Sequence, residues 1–288
     1  MINKGIILAG GTGTRLNPIT ISVSKQLMPI YDKPMIYYPL STLMQAKIKD
    51  ILIITTPHDQ ALFRKLLSDG KQLGINISYA IQTQPNGIAE SFIIGEKFIK
   101  NDPVALILGD NIFYGYQLDK ILIKNKKSNL STIFGYQVNK PESYGVVEIT
   151  RDNKAKKIVE KPKKPKSNYA VTGMYFYDKN VVSYAKKLKP SARGELEITD
   201  LNNIYLKRNN LGFQLLDSGI AWLDTGTHEN LLNAQNFISV VQKRQGIMIG
   251  CPEEIAFKNK WIDKKQIKNN LKNYKNSDYE AYLKKFLI

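Results

Sequence analysis

The stretch Leu8-Ala9-Gly10-Gly11-Thr12-Gly13-Thr14-Arg15-Leu16 places three glycines and two threonines directly after a short apolar run. Glycine permits positive φ and close approach of the backbone to phosphate oxygens, so Gly10, Gly11, Gly13 and Thr14 can wrap an anion with main-chain N–H groups. It is not a Walker loop, because no Gly-Lys-Ser/Thr follows. It is not the dinucleotide fingerprint either, because Leu16 stands where the third glycine would be. Arg15 ends the loop with a fixed positive charge, and Lys25 adds another ten residues on. Two cations beside such a loop suit a triphosphate, whose departing pyrophosphate develops charge. The simpler alternative is a tight strand-to-helix turn with no ligand.

Two aspartates could hold a metal. Asp110 follows the apolar run Val104–Leu108 in Gly109-Asp110-Asn111, and Asp224 closes Ala221-Trp222-Leu223-Asp224. Carboxylates brought together from distant positions make a seat for Mg²⁺, which takes hard oxygen ligands and phosphates, neutralising and orienting them. Each aspartate could equally cap the turn after it.

Other candidates are weaker. Gln82, in Ala80-Ile81-Gln82-Thr83-Gln84-Pro85-Asn86-Gly87, offers a donor and an acceptor that can match a pyrimidine edge, with a backbone N–H near Gly87 completing the pair. The same segment also reads as a polar turn. Glu160-Lys161-Pro162 ends a short strand, since Pro162 has no N–H. Lys161 there could hold a second phosphate, or be an ordinary exposed strand end. Arg193-Gly194-Glu195-Leu196-Glu197-Ile198-Thr199-Asp200 carries three carboxylates. A paired-carboxylate hydrolase is disfavoured, because Glu195 and Glu197 read as acids complementing a helix start. His58 and His228 lack partners for a nucleophilic triad, and Cys251 reads as a small buried residue.

These groups need a scaffold. Lys4–Ala9, Ile51–Thr55, Ile75–Ile81 and Val104–Leu108 read as buried strands, with helical spacing over Pro39–Lys47, Asp59–Leu67 and Ile88–Ile99. That alternation predicts an α/β fold, a mixed and mostly parallel sheet flanked by helices, whose ligand edge lies at the strand C-termini. After about residue 130, strands at Ser131–Val138, Gly145–Ile149, Lys156–Val159 and Ala170–Tyr177 are inserted. Helices near 179–187 and 197–208 follow, then strands at Gly212–Leu216 and Ala221–Leu223. From Thr227 the chain reads as helical, so a single domain over 1–288 is expected, with a core to about 226 and a helical section over 227–288.

Composition narrows the classes. The chain of 288 residues has 43% hydrophobic residues, enough for a folded core, and a net charge of +17. Of its 42 basic residues, 36 are Lys and 6 are Arg, and Lys, Asn and Ile together supply 95 positions. That is the mark of a global drift in usage rather than of a phosphate-reading surface, where Arg is favoured. A nucleic-acid partner is not expected. A lone cysteine fits a reducing compartment, and no segment reads as a targeting peptide or membrane span, so a cytoplasmic protein is expected.

The glycine loop, followed by Ser24-Lys25-Gln26-Leu27-Met28-Pro29-Ile30, resembles the sugar-1-phosphate nucleotidyltransferases. Tyr31-Asp32-Lys33-Pro34-Met35-Ile36-Tyr37-Tyr38-Pro39-Leu40 narrows the resemblance to members that join dTTP to glucose-1-phosphate, and it covers essentially the whole chain. The resemblance implies the fold of nucleotide-diphospho-sugar transferases, Mg²⁺ held by Asp110 and Asp224, and catalysis by Arg15, Lys25 and Lys161. It implies that Gln82 and Gly87 read thymine and that Gln26 lies near the deoxyribose. Glu160, Asn111, Gly145 and Val171 would contact the sugar, with Tyr175, Thr199 and Trp222 as candidate walls. UTP in place of dTTP, and a non-catalytic sugar-nucleotide regulator, are the alternatives. The resemblance further implies a homotetramer with feedback control at a second site. There Tyr116, Ser218 and Lys258 replace planar donors, so weak or absent feedback by dTDP-rhamnose is expected.

Overall fold

Strand β1 (Lys4–Ala9) lies at the heart of the molecule, and its neighbouring side chains point to opposite faces of the sheet. Ile7 enters one apolar cluster and Ile6 the other, which is why the stretch from Ile6 to Ala9 is apolar at every position rather than at alternate ones. The structure, a computed structural model, describes residues 1–288. After the glycine loop comes a short ribbon, β2 (Pro29–Ile30) against β3 (Lys33–Pro34), and then helix α1 (Tyr37–Gln45). There follow β4 (Asp50–Thr55), α2 (Gln60–Leu67) and β5 (Asn76–Ile81). Two short helices, α3 (Glu90–Ile94) and α4 (Glu96–Ile99), lead to β6 (Val104–Leu108) and β7 (Asn111–Gly115). The single helix expected over Ile88–Ile99 is thus divided at Gly95, which packs so close to Ile6 that a Cβ would stand 3.1 Å from Ile6 Cδ1.

The second half adds α5 (Leu118–Lys126), β8 (Ser131–Gln137), β9 (Gly145–Ile149), β10 (Ala155–Glu160) and β11 (Tyr169–Tyr177). Next come α6 (Val181–Ala185), α7 (Ile198–Lys207), β12 (Leu211–Leu215) and β13 (Ile220–Asp224). The chain ends in α8 (His228–Gln245), α9 (Pro252–Lys258), α10 (Lys264–Asn270) and α11 (Asp278–Lys284).

Nine strands form one mixed sheet in the order β10-β9-β11-β6-β1-β4-β5, with β8 beside β11 and β12 beside β8. β6, β1, β4 and β5 are parallel, and β11 runs antiparallel to β6, β8 and β9. The parallel set presents its C-terminal ends along one edge, as expected for a ligand-binding sheet. The edge strand β10 turns Lys156 and Lys157 to solvent, which discourages pairing with another chain. Four elements were not legible in sequence: β2 and β3, helix α5, and β7, which leaves the sheet just after β6 and pairs antiparallel with β13 as a separate ribbon. Helices α9, α10 and α11 contribute Ala256, Ile267 and Leu283 to the same apolar cluster as Ile7, Leu40 and Leu43.

Candidate active site

The glycine loop leaves the C-terminal end of β1 and enters a single 3-10 turn, Thr14–Leu16, rather than an α-helix. Its anion-binding capacity therefore comes from main-chain donors and not from a helix dipole. The N–H groups of residues 11 to 15 donate to no protein acceptor, and Gly13 takes the left-handed conformation at φ +65° that turns the loop.

Asp110 lies at the tip of β6, and Lys25, only 6% exposed, reaches it with Nζ 2.5 Å from Oδ2. The Asn111 amide donates to the other carboxylate oxygen at 2.9 Å. Asn111 is itself fixed: its Oδ1 accepts from Trp222 Nε1 at 2.6 Å and from the Gly173 N–H at 3.1 Å. That N–H is free because the register of β11 shifts between Val171 and Tyr175, and the absence of a Cβ at Gly173 admits Asn111 so closely.

The β7–β13 ribbon brings the second aspartate in. Asp224 pairs with Asn111, and Thr225 donates both its N–H and its hydroxyl to the Asp110 carbonyl, at 3.3 and 2.9 Å. The Gly226 N–H and the Tyr144 hydroxyl donate to the Asp224 carboxylate at 2.8 and 3.3 Å. Burial works to raise the Asp110 carboxyl, but the Lys25 ammonium outweighs it and holds the group below its ordinary value. Burial, followed by the Asp110 charge, raises Asp224 above the ordinary value against the pull of Lys25 and Arg15. Two facing carboxylates, one of them short of positive charge, fit a hard divalent cation. No third His, Cys, Asp or Glu clusters with them, so phosphate and water would complete its ligands.

Beside this pair lies a cavity of about 190 Å³. It is lined by Arg15, Asp110, Asn111, Gly145, Glu160, Lys161, Val171, Tyr175, Thr199, Trp222 and Asp224, so the tertiary fold gathers the sugar-side candidates in one place. Glu160 accepts from the Thr199 hydroxyl at 2.5 Å and from Arg193 Nη2 at 3.4 Å. Gly145 leaves room for that pair, since a Cβ there would stand 3.1 Å from Thr199 Oγ1. Lys161 occupies φ +40° between β10 and Pro162, a strained conformation for a non-glycine residue. Trp222 serves both as cavity wall and as the donor to Asn111.

Sequence reasoning missed Tyr144 and Arg193. Arg193 grips the buried Glu197 with Nη2 at 2.9 and 2.7 Å from its two oxygens, so Glu197 anchors an arginine rather than merely complementing a helix start. The available signal was its type: one of 6 arginines among 36 lysines. Cys251 is buried and its thiol is pushed well above its ordinary value, chiefly by burial, as expected for a packing residue.

The remaining candidates lie along the loop side of the cleft. Gln26 is buried, with its Cγ so near Gly109 that a Cβ there would come within 2.9 Å. Gln82 extends β5, and its Nε2 donates to Glu90 Oε2 at 2.7 Å and to the Gly87 carbonyl at 3.3 Å. Gly87 has φ +106°, and a Cβ on it would stand 2.5 Å from the Leu196 carbonyl oxygen. Leu196 pairs through its backbone with Asn86 and Ala89, tying this loop to the segment that carries Arg193 and Thr199.

A larger cavity of about 380 Å³ lies elsewhere, between α1, β7 and α9. Lys258 lines it and is bonded to Glu254 at 2.5 Å, whereas Tyr116 projects into solvent. Asp110 and Asp224 both line the smaller cavity, and neither lines this one.

A parallel sheet with a glycine loop, two carboxylates and flanking cations at one edge defines a transferase acting on nucleoside phosphates. The chain belongs to the family described as Nucleotidyl transferase, whose model matches residues 4–240. Glucose-1-phosphate thymidylyltransferase of Xanthomonas campestris is 57% identical over 281 residues, covering 97% of this chain and 95% of that protein. A solved structure from Bacillus anthracis, described as a candidate glucose-1-phosphate thymidylyltransferase in complex with sucrose, superposes with a TM-score of 0.75 at 44% identity. It covers 81% of this chain and 94% of its own. A UDP-glucose pyrophosphorylase complexed with UDP-glucose gives 0.74 at 28% identity, covering 85% of this chain and 100% of its own.

Proposed function

We propose that this chain joins dTTP to glucose-1-phosphate, giving dTDP-glucose and pyrophosphate. The observation that carries this reading is the meeting of Asp110 and Asp224 in the wall of one cavity with Glu160, Lys161 and Arg15 of the glycine loop. The phosphate oxygen of glucose-1-phosphate attacks the α-phosphorus in line. The new O–P bond forms as the bond to the β-phosphate oxygen breaks, and pyrophosphate departs with that electron pair. No general base is needed, because the nucleophile is already an anion.

The chain's own residues position and neutralise. The free N–H groups of the glycine loop and Arg15 meet the triphosphate. Lys25 holds Asp110, Lys161 meets the sugar phosphate, and Glu160, aligned by Thr199, accepts from sugar hydroxyls. Mg²⁺, held by Asp110 and Asp224, would supply charge neutralisation at the α-phosphate. Gln82 and Gly87 face the base and Gln26 the deoxyribose. The reading includes a cytoplasmic homotetramer; no helix is long and apolar enough to cross a membrane.

A matrix of nucleoside triphosphates against sugar-1-phosphates, scored for pyrophosphate and for the nucleotide sugar, tests this. Turnover is expected with dTTP and glucose-1-phosphate in the presence of Mg²⁺. Its absence from that pair, with turnover of another, would replace the substrate assignment. Light scattering checks the assembly.

A further inference from the structure

Gln82 is 4% exposed, and its carboxamide has only one permissible orientation. Nε2 donates to Glu90 Oε2 at 2.7 Å and to the Gly87 carbonyl at 3.3 Å. A carboxylate and a main-chain carbonyl can only accept, so both partners demand the amide nitrogen. Glu90 is itself held in place, since Asn86 Nδ2 donates to its Oε1 at 2.9 Å. The opposite end of the carboxamide, Oε1, points toward Gly10, where a Cβ would come within 2.5 Å of it. This oxygen accepts no hydrogen bond from the protein, and the Gly87 N–H donates to no protein acceptor.

We propose that Glu90 is a positioning residue for base selection: it locks Gln82 with the carbonyl oxygen presented to the nucleobase. The site then accepts a pyrimidine that carries hydrogen on N3 and rejects one whose N3 is a lone pair. This rests on the reading that Gln82 faces the base. Thymine and uracil donate from N3 and accept at O2 and O4, which complements Oε1 of Gln82 and the N–H of Gly87. Cytosine sets its N3 lone pair against Oε1, and the carboxamide cannot rotate to relieve the clash without turning its oxygen onto the Glu90 carboxylate. Discrimination by an unpaired polar group of this kind is strong, because the mispaired acceptors stay desolvated. The device is blind to the C5 methyl group, so it separates uracil-type bases from cytosine but not thymine from uracil.

The test compares dUTP with dCTP, which share sugar and phosphates and differ only along the base edge being read. Steady-state kinetics with glucose-1-phosphate and direct calorimetric binding are run on wild type and Glu90→Gln. A glutamine at 90 can offer either end of its amide, so only the longer contact to the Gly87 carbonyl, at 3.3 Å, still favours the original orientation of Gln82. The expected result is a drop of at least about tenfold in the dUTP-to-dCTP ratio of kcat/KM. It should arise from a higher KM for dUTP and a lower one for dCTP, with the KM for glucose-1-phosphate and kcat held. The binding ratio should fall in parallel, which reads the effect without turnover. An unchanged ratio in an active Glu90→Gln enzyme overturns the role of Glu90 alone. A wild-type enzyme that turns over neither dTTP nor dUTP overturns the proposed reaction instead.

Discussion

Lys25 and Asp110, 85 residues apart in sequence, meet with Nζ 2.5 Å from Oδ2, and this ion pair stands beside the second carboxylate, Asp224. The lysine offsets one negative charge of the pair and leaves the other for a bound cation. Asp110→Asn keeps the shape and removes that charge. Its kcat/KM should fall by at least about 100-fold, in the range seen when a charge-stabilising group is lost. Melting temperature should stay within a few degrees, and Mg²⁺ affinity by calorimetry should drop. Wild-type turnover in folded Asp110→Asn would remove Asp110 from the metal site.

Trp222 acts on the same carboxylate at one remove. Its indole N–H and the Gly173 N–H both donate to Asn111 Oδ1, leaving the Asn111 amide to hold Asp110. Trp222→Phe keeps most of the wall but deletes one donor, a loss of about 1 kcal/mol. A several-fold fall in kcat is expected, with Asn111→Ala falling further. Equal kcat in Trp222→Phe and wild type would show that Trp222 is only a wall.

Gly87 is fixed by geometry on two counts, its φ of +106° and the Leu196 carbonyl where a Cβ would go. Gly87→Ala should cost more than about 1 kcal/mol and raise the KM for dTTP at least about tenfold. The Leu196 tie should carry a smaller rise to the glucose-1-phosphate side. Steady-state titration of both substrates reads the two effects separately.

Glu253, in the first turn of α9, is buried, and the Tyr274 and Tyr279 hydroxyls donate to it at 2.7 and 2.5 Å. Burial raises its carboxyl above the ordinary value, more than those two bonds lower it. A folded pKa above the unfolded one gives stability that is present at low pH and lost as pH rises through the folded value. The stability of wild type relative to Glu253→Gln should therefore decline as pH rises above the ordinary carboxylate value of 4.5. Chemical denaturation at a series of pH values measures the difference, and a flat difference would contradict the burial effect.

The feedback control expected from the resemblance can be tested at the larger cavity, which Lys258 lines. Lys258 there is already engaged by Glu254, and its ammonium lacks the fork that grips a phosphate at two points. Inhibition by dTDP-rhamnose should accordingly be weak. Strong inhibition at micromolar concentration would refute this.

The linear sequence by itself determined the parallel core and the local chemistry. Ile6-Ile7-Leu8-Ala9 and Val104–Leu108 are apolar at every position because both sheet faces are covered. Glycines after such a run can only be a turn, and that turn carries Arg15. Asp110 was readable because an aspartate at a parallel-strand tip faces the ligand edge. Only the tertiary structure decided that Lys25 neutralises Asp110, that Trp222 and a register shift in β11 fix Asn111, and that Glu90 orients Gln82. It likewise revealed β7 pairing with β13, which brings Asp224 to Asp110, and Arg193 beside Glu160. The physical reason is range. Burial periodicity acts within one element and leaves a repeat in the chain. A hydrogen bond between Asn111 and Trp222 joins residues 111 positions apart and leaves none.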